Sequence, residues 1–297
     1  MDYFVNVAIM ISIQAIAACG LNIIVGYAGQ ISLGHAAFYG IGAYATALLT
    51  TKAGLTFWQA LPLVLVIAAL IGAVLGLPSL RLKADFLAIT TIGINFIVEA
   101  IFNYTPFFGA ALGIGGIPRV FFLGERLRNN GYLFLCLAFL ALAVFVCWYF
   151  SRSWAGIGCF AIREEEDAAS SMGVSPIRAK LLAFVMGTVF AGLAGVLYAH
   201  YVRFISPGDF GFTTSITMLS LIVLGGMGTL WGPVLGAIIL GVLPELFRPL
   251  MDYRMLVYSI LLLLMIRFQP GGLLGEHSLL PMLFKNFKKM RGGASHE

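Results

Sequence analysis

The chain has 297 residues, of which 60% are hydrophobic and only 10% charged, with a net charge of +5 and a mean hydropathy of +0.97. Soluble domains carry roughly 25% charged residues, so an ordinary soluble domain is excluded. The apolar runs are continuous and too long for barrel strands, which alternate every residue, so helices in a membrane are expected. The positive surplus has no dense basic face to suit a nucleic acid, and Lys and Arg on the cytoplasmic side of a membrane give the same total. Cys19, Cys136, Cys147 and Cys159 lie in or beside apolar runs without metal-type spacing and read as small apolar fillers.

About twenty apolar residues are needed per helical crossing. In chain order the candidate spans are 3–25, 34–51, 59–80, 86–104, 131–150, 180–202, 213–230, 233–248 and 254–268. The first has no basic segment before it and no small-residue cleavage site, so it reads as a retained span rather than a signal peptide. The expectation is an all-α polytopic membrane protein of about nine crossings, within a range of eight to ten. The segments 213–230 and 233–248 are short and interrupted by Gly and Pro, which suits tilted or re-entrant helices.

Two stretches share a glycine-rich pattern, GYAGQISLG at 26–34 and GGMGTLWG at 225–232. Each follows an apolar run and precedes a helix rich in small residues. One reading is an internal repeat whose broken helices meet near the midplane. The other is that both are close-packing sites for small residues.

Placing the loop at 151–179 inside puts the N-terminus outside and the C-terminus inside. Eleven of the 18 basic residues then face the cytoplasm, the sense expected for an inner-membrane protein. The chain divides into a membrane domain at 1–278, with a cytoplasmic loop at about 152–179, and a basic cytoplasmic tail at 279–297. The tail begins LLPMLFKNFKKMR, apolar then basic, which suits either an interfacial helix on anionic lipid or a solvated tail.

Polar side chains within spans face a bundle interior or a water path. Thr91, Asn95 and Glu99 recur every four residues and share one stripe of their helix. With Gln30, Ser32 and His35 they are the candidate lining of a translocation pathway. The alternative is that they hydrogen-bond neighbouring helices and hold the bundle together. Gln14, Asn22, Thr90, Thr214, Ser215, Thr217 and Ser220 are further polar positions in spans, and His35 and His200 suit helix–helix hydrogen bonding better than proton relay. No HExxH or GxSxG string occurs, so no catalytic residue, metal site or cofactor is expected.

The most informative soluble stretch is AIREEEDAASSMGVSP at 161–176. Its acidic residues suit the N-terminus of a short helix of two to three turns, which Gly173 can end before Ser175 and Pro176 start the next span. Ala168, Ala169 and Met172 would present a small apolar surface. This is the shape of a helix that seats in a partner ATPase, and equally that of a surface turn between two spans.

Eight motifs in order carry a resemblance that covers nearly the whole chain. They are GYAGQISLGHAAFYGIGAY at 26–44, LRLKADFLAIT at 80–90, LGIGGIP at 112–118, the loop running on to KLLAF at 180–184, FAGLAGVLYAH at 190–200, ISPGD at 205–209, LGGMGTLWGP at 224–233 and QPGGLLG at 269–275. By these the chain resembles the LivM-type permeases of branched-chain amino acid ABC importers. A count of about nine spans suits a permease fold larger than the minimal six-helix type, and the resemblance implies an alternating-access cycle driven by ATP hydrolysis on separate subunits. It implies that Arg163, Glu164, Glu165, Asp167, Ala168, Ala169 and Gly173 belong to the ATPase-contacting loop. It also implies a second, related permease subunit, two ATPases and a periplasmic or extracellular solute-binding protein. No GxxxxGK[ST] phosphate-binding loop is present, as suits a subunit that borrows its ATP hydrolysis. The expected substrate is a branched-chain amino acid or a related small polar solute such as urea or an amide. A stand-alone ion- or proton-coupled transporter is the alternative; a membrane enzyme or receptor lacks both a catalytic constellation and a sensing domain.

Overall fold

A computed structural model of the chain describes residues 2–79, 84–122, 125–246, 260, 263, 267 and 272–274. The expected span at 254–268, apart from those isolated positions, and the basic tail at 279–297 lie outside the described residues.

Among the described residues there are ten α-helices: α1 (Asp2–Asn22), α2 (His35–Thr51), α3 (Phe57–Ser79), α4 (Ala84–Tyr104), α5 (Asn129–Arg152), α6 (Trp154–Glu164), α7 (Glu166–Ser171), α8 (Pro176–Val202), α9 (Phe212–Gly225) and α10 (Gly232–Leu246). Six of the described helical segments are long and apolar enough to cross a membrane, those at Tyr3–Tyr27, Phe57–Leu77, Phe86–Tyr104, Asn129–Arg152, Pro176–Val202 and Pro207–Gly225. α2 and α10 are apolar but shorter, at 17 and 15 residues. At 1.5 Å per residue α2 spans about 26 Å, less than a hydrocarbon core of about 30 Å. The loop expected at 151–179 is itself largely helical, divided between α6 and α7.

α8 is the central post. From Ala183 to His200 nearly all of it is buried, because α1, α2 and α3 pack around it. Such approach needs small residues at the crossings. A methyl group on Gly195 would sit 2.3 Å from the Tyr39 carbonyl oxygen, one on Gly42 2.5 Å from that of Gly192, and one on Gly20 2.6 Å from that of Gly187. On the α3 side the Thr188 hydroxyl donates to Ala68 O at 3.2 Å. α5 packs on α1, and α9 and α10 pack on each other and on α1.

Two ends can be recognised from cross-helix bonds. At one, Gln30 donates to the Lys180 carbonyl and Asn22 to that of Thr229, both at 2.9 Å. At the other, Asn129 donates to Asn6 Oδ1 at 3.0 Å, and Lys52 Nζ to Phe107 O at 2.8 Å. That far end is closed by two small antiparallel pairs not expected from the sequence. β1 (Ile114–Gly115) pairs with β4 (Phe204–Ile205), and β2 (Phe121–Phe122) pairs with β3 (Glu125–Arg126).

α2 does not start at a helix-end level. Its first residue, His35, lies beside Ala17, more than a turn before the end of α1, at 3.1 Å from the Ala17 carbonyl. The irregular segment before it therefore runs back into the bundle. Ala28, Gln30, Ser32 and Gly34 are buried there.

Two glycines on different faces separate packing from propensity. Gly195→Val overpacks the α2–α8 crossing and should destabilise by about 1–3 kcal/mol. Gly93, in α4, has no neighbouring atom within 4 Å of an added methyl group, so Gly93→Ala should stabilise by about 0.5–1 kcal/mol. Thermal unfolding of the purified chain in detergent checks both, and equal effects would refute the assigned crossing.

Candidate functional site

The acidic stretch divides into two helices. Ser153 caps α6, its hydroxyl accepting from Gly156 N at 3.2 Å. The inner face of α6 holds Gly156, Gly158, Cys159 and Ile162, and the Cys159 thiol lies 3.6 Å from Ala179 O on α8. Burial pushes that thiol up to about 11 and leaves it a packing group at neutral pH. The chain breaks at Glu165, whose backbone is extended, and α7 starts with Glu166 and Asp167 in its first turn, where a helix dipole favours them. Gly173, at φ +88°, ends α7, and Pro176 occupies the first turn of α8.

The exposed residues of this unit are both apolar and acidic. Trp154 is 86% exposed, Met172 87%, and Ile157 and Ile177 are exposed as well. Glu164, Glu165, Asp167 and Ala168 are exposed as well, whereas Ala169 turns inward and is 6% exposed. Trp154 and Ile157 went unnoticed in the sequence because an eleven-residue helix with two glycines carries no long apolar run. Lys180 pairs with Glu166 at 2.5 Å, the one ion pair among the described residues.

Arg163, in the last turn of α6, is exposed as well, but its guanidinium reaches the end of α1. Its guanidinium donates to the Gly26 carbonyl, at a wide π-helical turn (Ile23–Tyr27) that ends α1. It also lies against Gly228 and Gly29, both with positive φ. The two glycine-rich stretches thus meet at Arg163. Asn22 joins them further, accepting from Gly228 N and donating to Thr229 O, both at 2.9 Å. A third motif adds to the cluster: Leu273 N and Leu274 N donate to Leu224 O and Gly225 O at 3.0 and 3.1 Å.

Of the six pathway candidates, three share one seam. Thr91 Oγ1 accepts from Leu33 N at 3.0 Å. Asn95 Oδ1 accepts from the Ser215 hydroxyl at 3.0 Å, and Ser215 in turn accepts from Ala36 N at 2.9 Å. Glu99 follows at the far end of the stripe, close to Gly211 at the N-terminus of α9, where a carboxylate meets the positive end of the helix. Thr91 and Asn95 are fully buried and Glu99 half-buried. Gln30 departs from this seam and binds the start of α8. His35 turns to α1, and its Nδ1 and the Ser32 hydroxyl are buried without a partner among the described residues. No cluster that could hold a metal occurs among the described residues.

Over residues 3–266 the chain matches the family described as the branched-chain amino acid transport system permease component. It is 38% identical over 318 aligned positions to the high-affinity branched-chain amino acid transport system permease protein LivM of Salmonella typhimurium, covering 99% of this chain and 73% of that protein. The LivM protein of Escherichia coli K12 aligns with the same identity and coverage. The LivH permease protein of Salmonella typhimurium is 27% identical over 89% of this chain and 92% of its own length. No solved structure matches.

Asn22→Ala leaves Gly228 N and Thr229 O unpaired and should destabilise by about 2–4 kcal/mol. Thr90→Ala, whose hydroxyl only returns to Phe86 O of its own helix, should stay within about 0.5 kcal/mol. Chemical unfolding in detergent compares the two. A double-mutant cycle on Asn95→Ala and Ser215→Ala should return a coupling of about 0.6–1.7 kcal/mol, the range of interhelical hydrogen bonds in membranes. Additive single effects would show that the pair does not hold α4 to α9.

Proposed function

This chain belongs to the branched-chain amino acid transport permease family, and we propose that it is the membrane-spanning permease subunit of an ATP-binding-cassette importer. It carries branched-chain amino acids or a related small polar solute across the inner membrane by alternating access. The observation that carries the mechanism is the link from α6 to the core through Arg163. α6 and α7 seat their Trp154–Met172 surface in an ATPase groove, with Glu164, Glu165 and Asp167 fixing the register. Movement of this unit passes through Arg163 to the Gly26 carbonyl and the two glycine breaks, which Asn22 joins to each other.

In this reading the α6–α7 unit and the C-terminus are cytoplasmic and the end with β1 and β4 faces outward. α2, α10 and the segment at 254–268 complete the count to nine crossings, and α1–α2 and α9–α10 are two copies of a helix–break–helix unit. Gln30, Ser32, His35, Thr91, Asn95 and Glu99 belong to the pathway, which opens against the second permease subunit. Support for that side comes from α9, where Thr213 and Thr217 leave the core on an apolar helix; polar groups on an intramembrane surface favour a water path or a partner over lipid. The remaining partners are two ATPase subunits and an external solute-binding protein.

Glu164→Gln with Asp167→Asn, in the reconstituted importer, should lower substrate-stimulated ATP hydrolysis at least tenfold while the subunits still co-purify. Unchanged stimulation would remove the loop from the coupling path.

A further inference from the structure

The far end of α5 carries three hollows that share walls. A polar pocket of about 290 Å³ is lined by Asn6, Arg119, Asn129, Tyr132, His200 and Arg203 among others. Arg119 and Arg203 also border a wider cleft of about 770 Å³. Leu127 belongs both to the polar pocket and to an apolar groove of about 520 Å³ that continues along α5 past Gly131, Leu135, Phe139 and Leu142.

The chemistry of the pocket is incomplete as it stands. Neither guanidinium has a carboxylate within ion-pair distance among the described residues. His200 Nδ1 lies 2.9 Å from the Pro118 carbonyl, which can only accept, so Nδ1 carries the proton. His200 Nε2 is then an acceptor, and it is buried without a partner in a side chain 3% exposed. The pocket therefore asks for an anion and a hydroxyl donor together. The groove asks for a chain. Its α5 residues recur every three or four positions from 131 to 142, one axial stripe about 16 Å long, and at Gly131 the missing side chain lets the end of Leu127 lie against the helix, where an added methyl group would be 2.6 Å from its Cδ2.

We propose that this end of the protein binds an anionic phospholipid with a hydroxylated headgroup, such as phosphatidylglycerol. The phosphate lies between Arg119 and Arg203, whose planar donors suit phosphate oxygens. A headgroup hydroxyl donates to His200 Nε2, and one acyl chain runs down the groove of α5. Arginines at the level of lipid headgroups make such a site electrostatically favourable. The site lies at the opposite end from α6 and α7 and does not depend on which solute is carried.

The test uses the intact importer in nanodiscs or vesicles of phosphatidylglycerol and phosphatidylcholine in equal amounts. It is then extracted in mild detergent, and retained lipid is counted by native mass spectrometry. At least tenfold more phosphatidylglycerol than phosphatidylcholine should remain bound. Arg119→Gln with Arg203→Gln should reduce that retention at least fivefold, and Gly131→Leu, which fills the groove and displaces only the end of Leu127, should do the same. Equal retention of the two lipids, or wild-type retention in the arginine variant, overturns the proposal. So does displacement of the lipid by inorganic phosphate with Gly131→Leu binding as wild type, which would mark a site for a small free oxyanion. Loss of binding-protein capture in the arginine variant with lipid retention unchanged would assign the arginines to an acidic protein surface and overturn it as well.

Discussion

A helix that breaks at membrane depth leaves backbone donors and acceptors with no water to meet them, and the architecture of this chain follows from how those groups are satisfied. The segment at 28–34, alternately buried and exposed, and the half-exposed turn at 226–231 interrupt the helices of this chain. Backbone atoms in or next to them are met by Asn22, Arg163 and Thr91, with Gly225 O taken up by Leu274 N. Each partner comes from a different part of the chain, so closing the breaks also fixes α1, α4, α6 and α9 relative to one another. Small residues at the α8 crossings let these helices come close enough for the bonds to form.

The same arrangement explains why one cation matters more than the several carboxylates near it. Glu164, Glu165 and Asp167 face outward, where a solvated charge contributes little to stability. Arg163 is exposed too, but its guanidinium hydrogen-bonds the main chain of Gly26. In the proposed reading the acidic residues recognise a partner, and Arg163 ties that contact to the end of α1. A permease with no phosphate-binding loop needs such a connection, because the free energy that drives it is released on another polypeptide.

Much of the fold is legible from apolar run length, since hydrocarbon admits few alternatives to a helix. The spans at 59–80, 86–104, 131–150 and 180–202 correspond to α3, α4, α5 and α8 within a few residues at each end. Depth is less legible. Nothing in the run 34–51 says that α2 starts beside Ala17, because that is set by the buried path of the preceding loop. The stripe of Thr91, Asn95 and Glu99 is readable from its spacing, but the partner of Asn95 is Ser215, 120 residues away, and no local pattern connects them. α6 escaped notice because its inward face is made of glycines and a cysteine, which read as loop until α8 is placed against them.

The clasp around Gly26 and Gly228 has a consequence for variation. Asn22, Gln30 and Arg163 all grip carbonyl or amide groups and ignore the side chain at the position they hold. Such a grip constrains the opposite residue by bulk and backbone angle alone. Lys180 and Thr229 can change identity while the bond to their main chain persists, whereas Gly26 and Gly228 cannot enlarge without pushing the clasp apart. The allowed alphabet at this junction is therefore written in volumes, and chemical similarity is a poor guide to which substitutions the junction accepts.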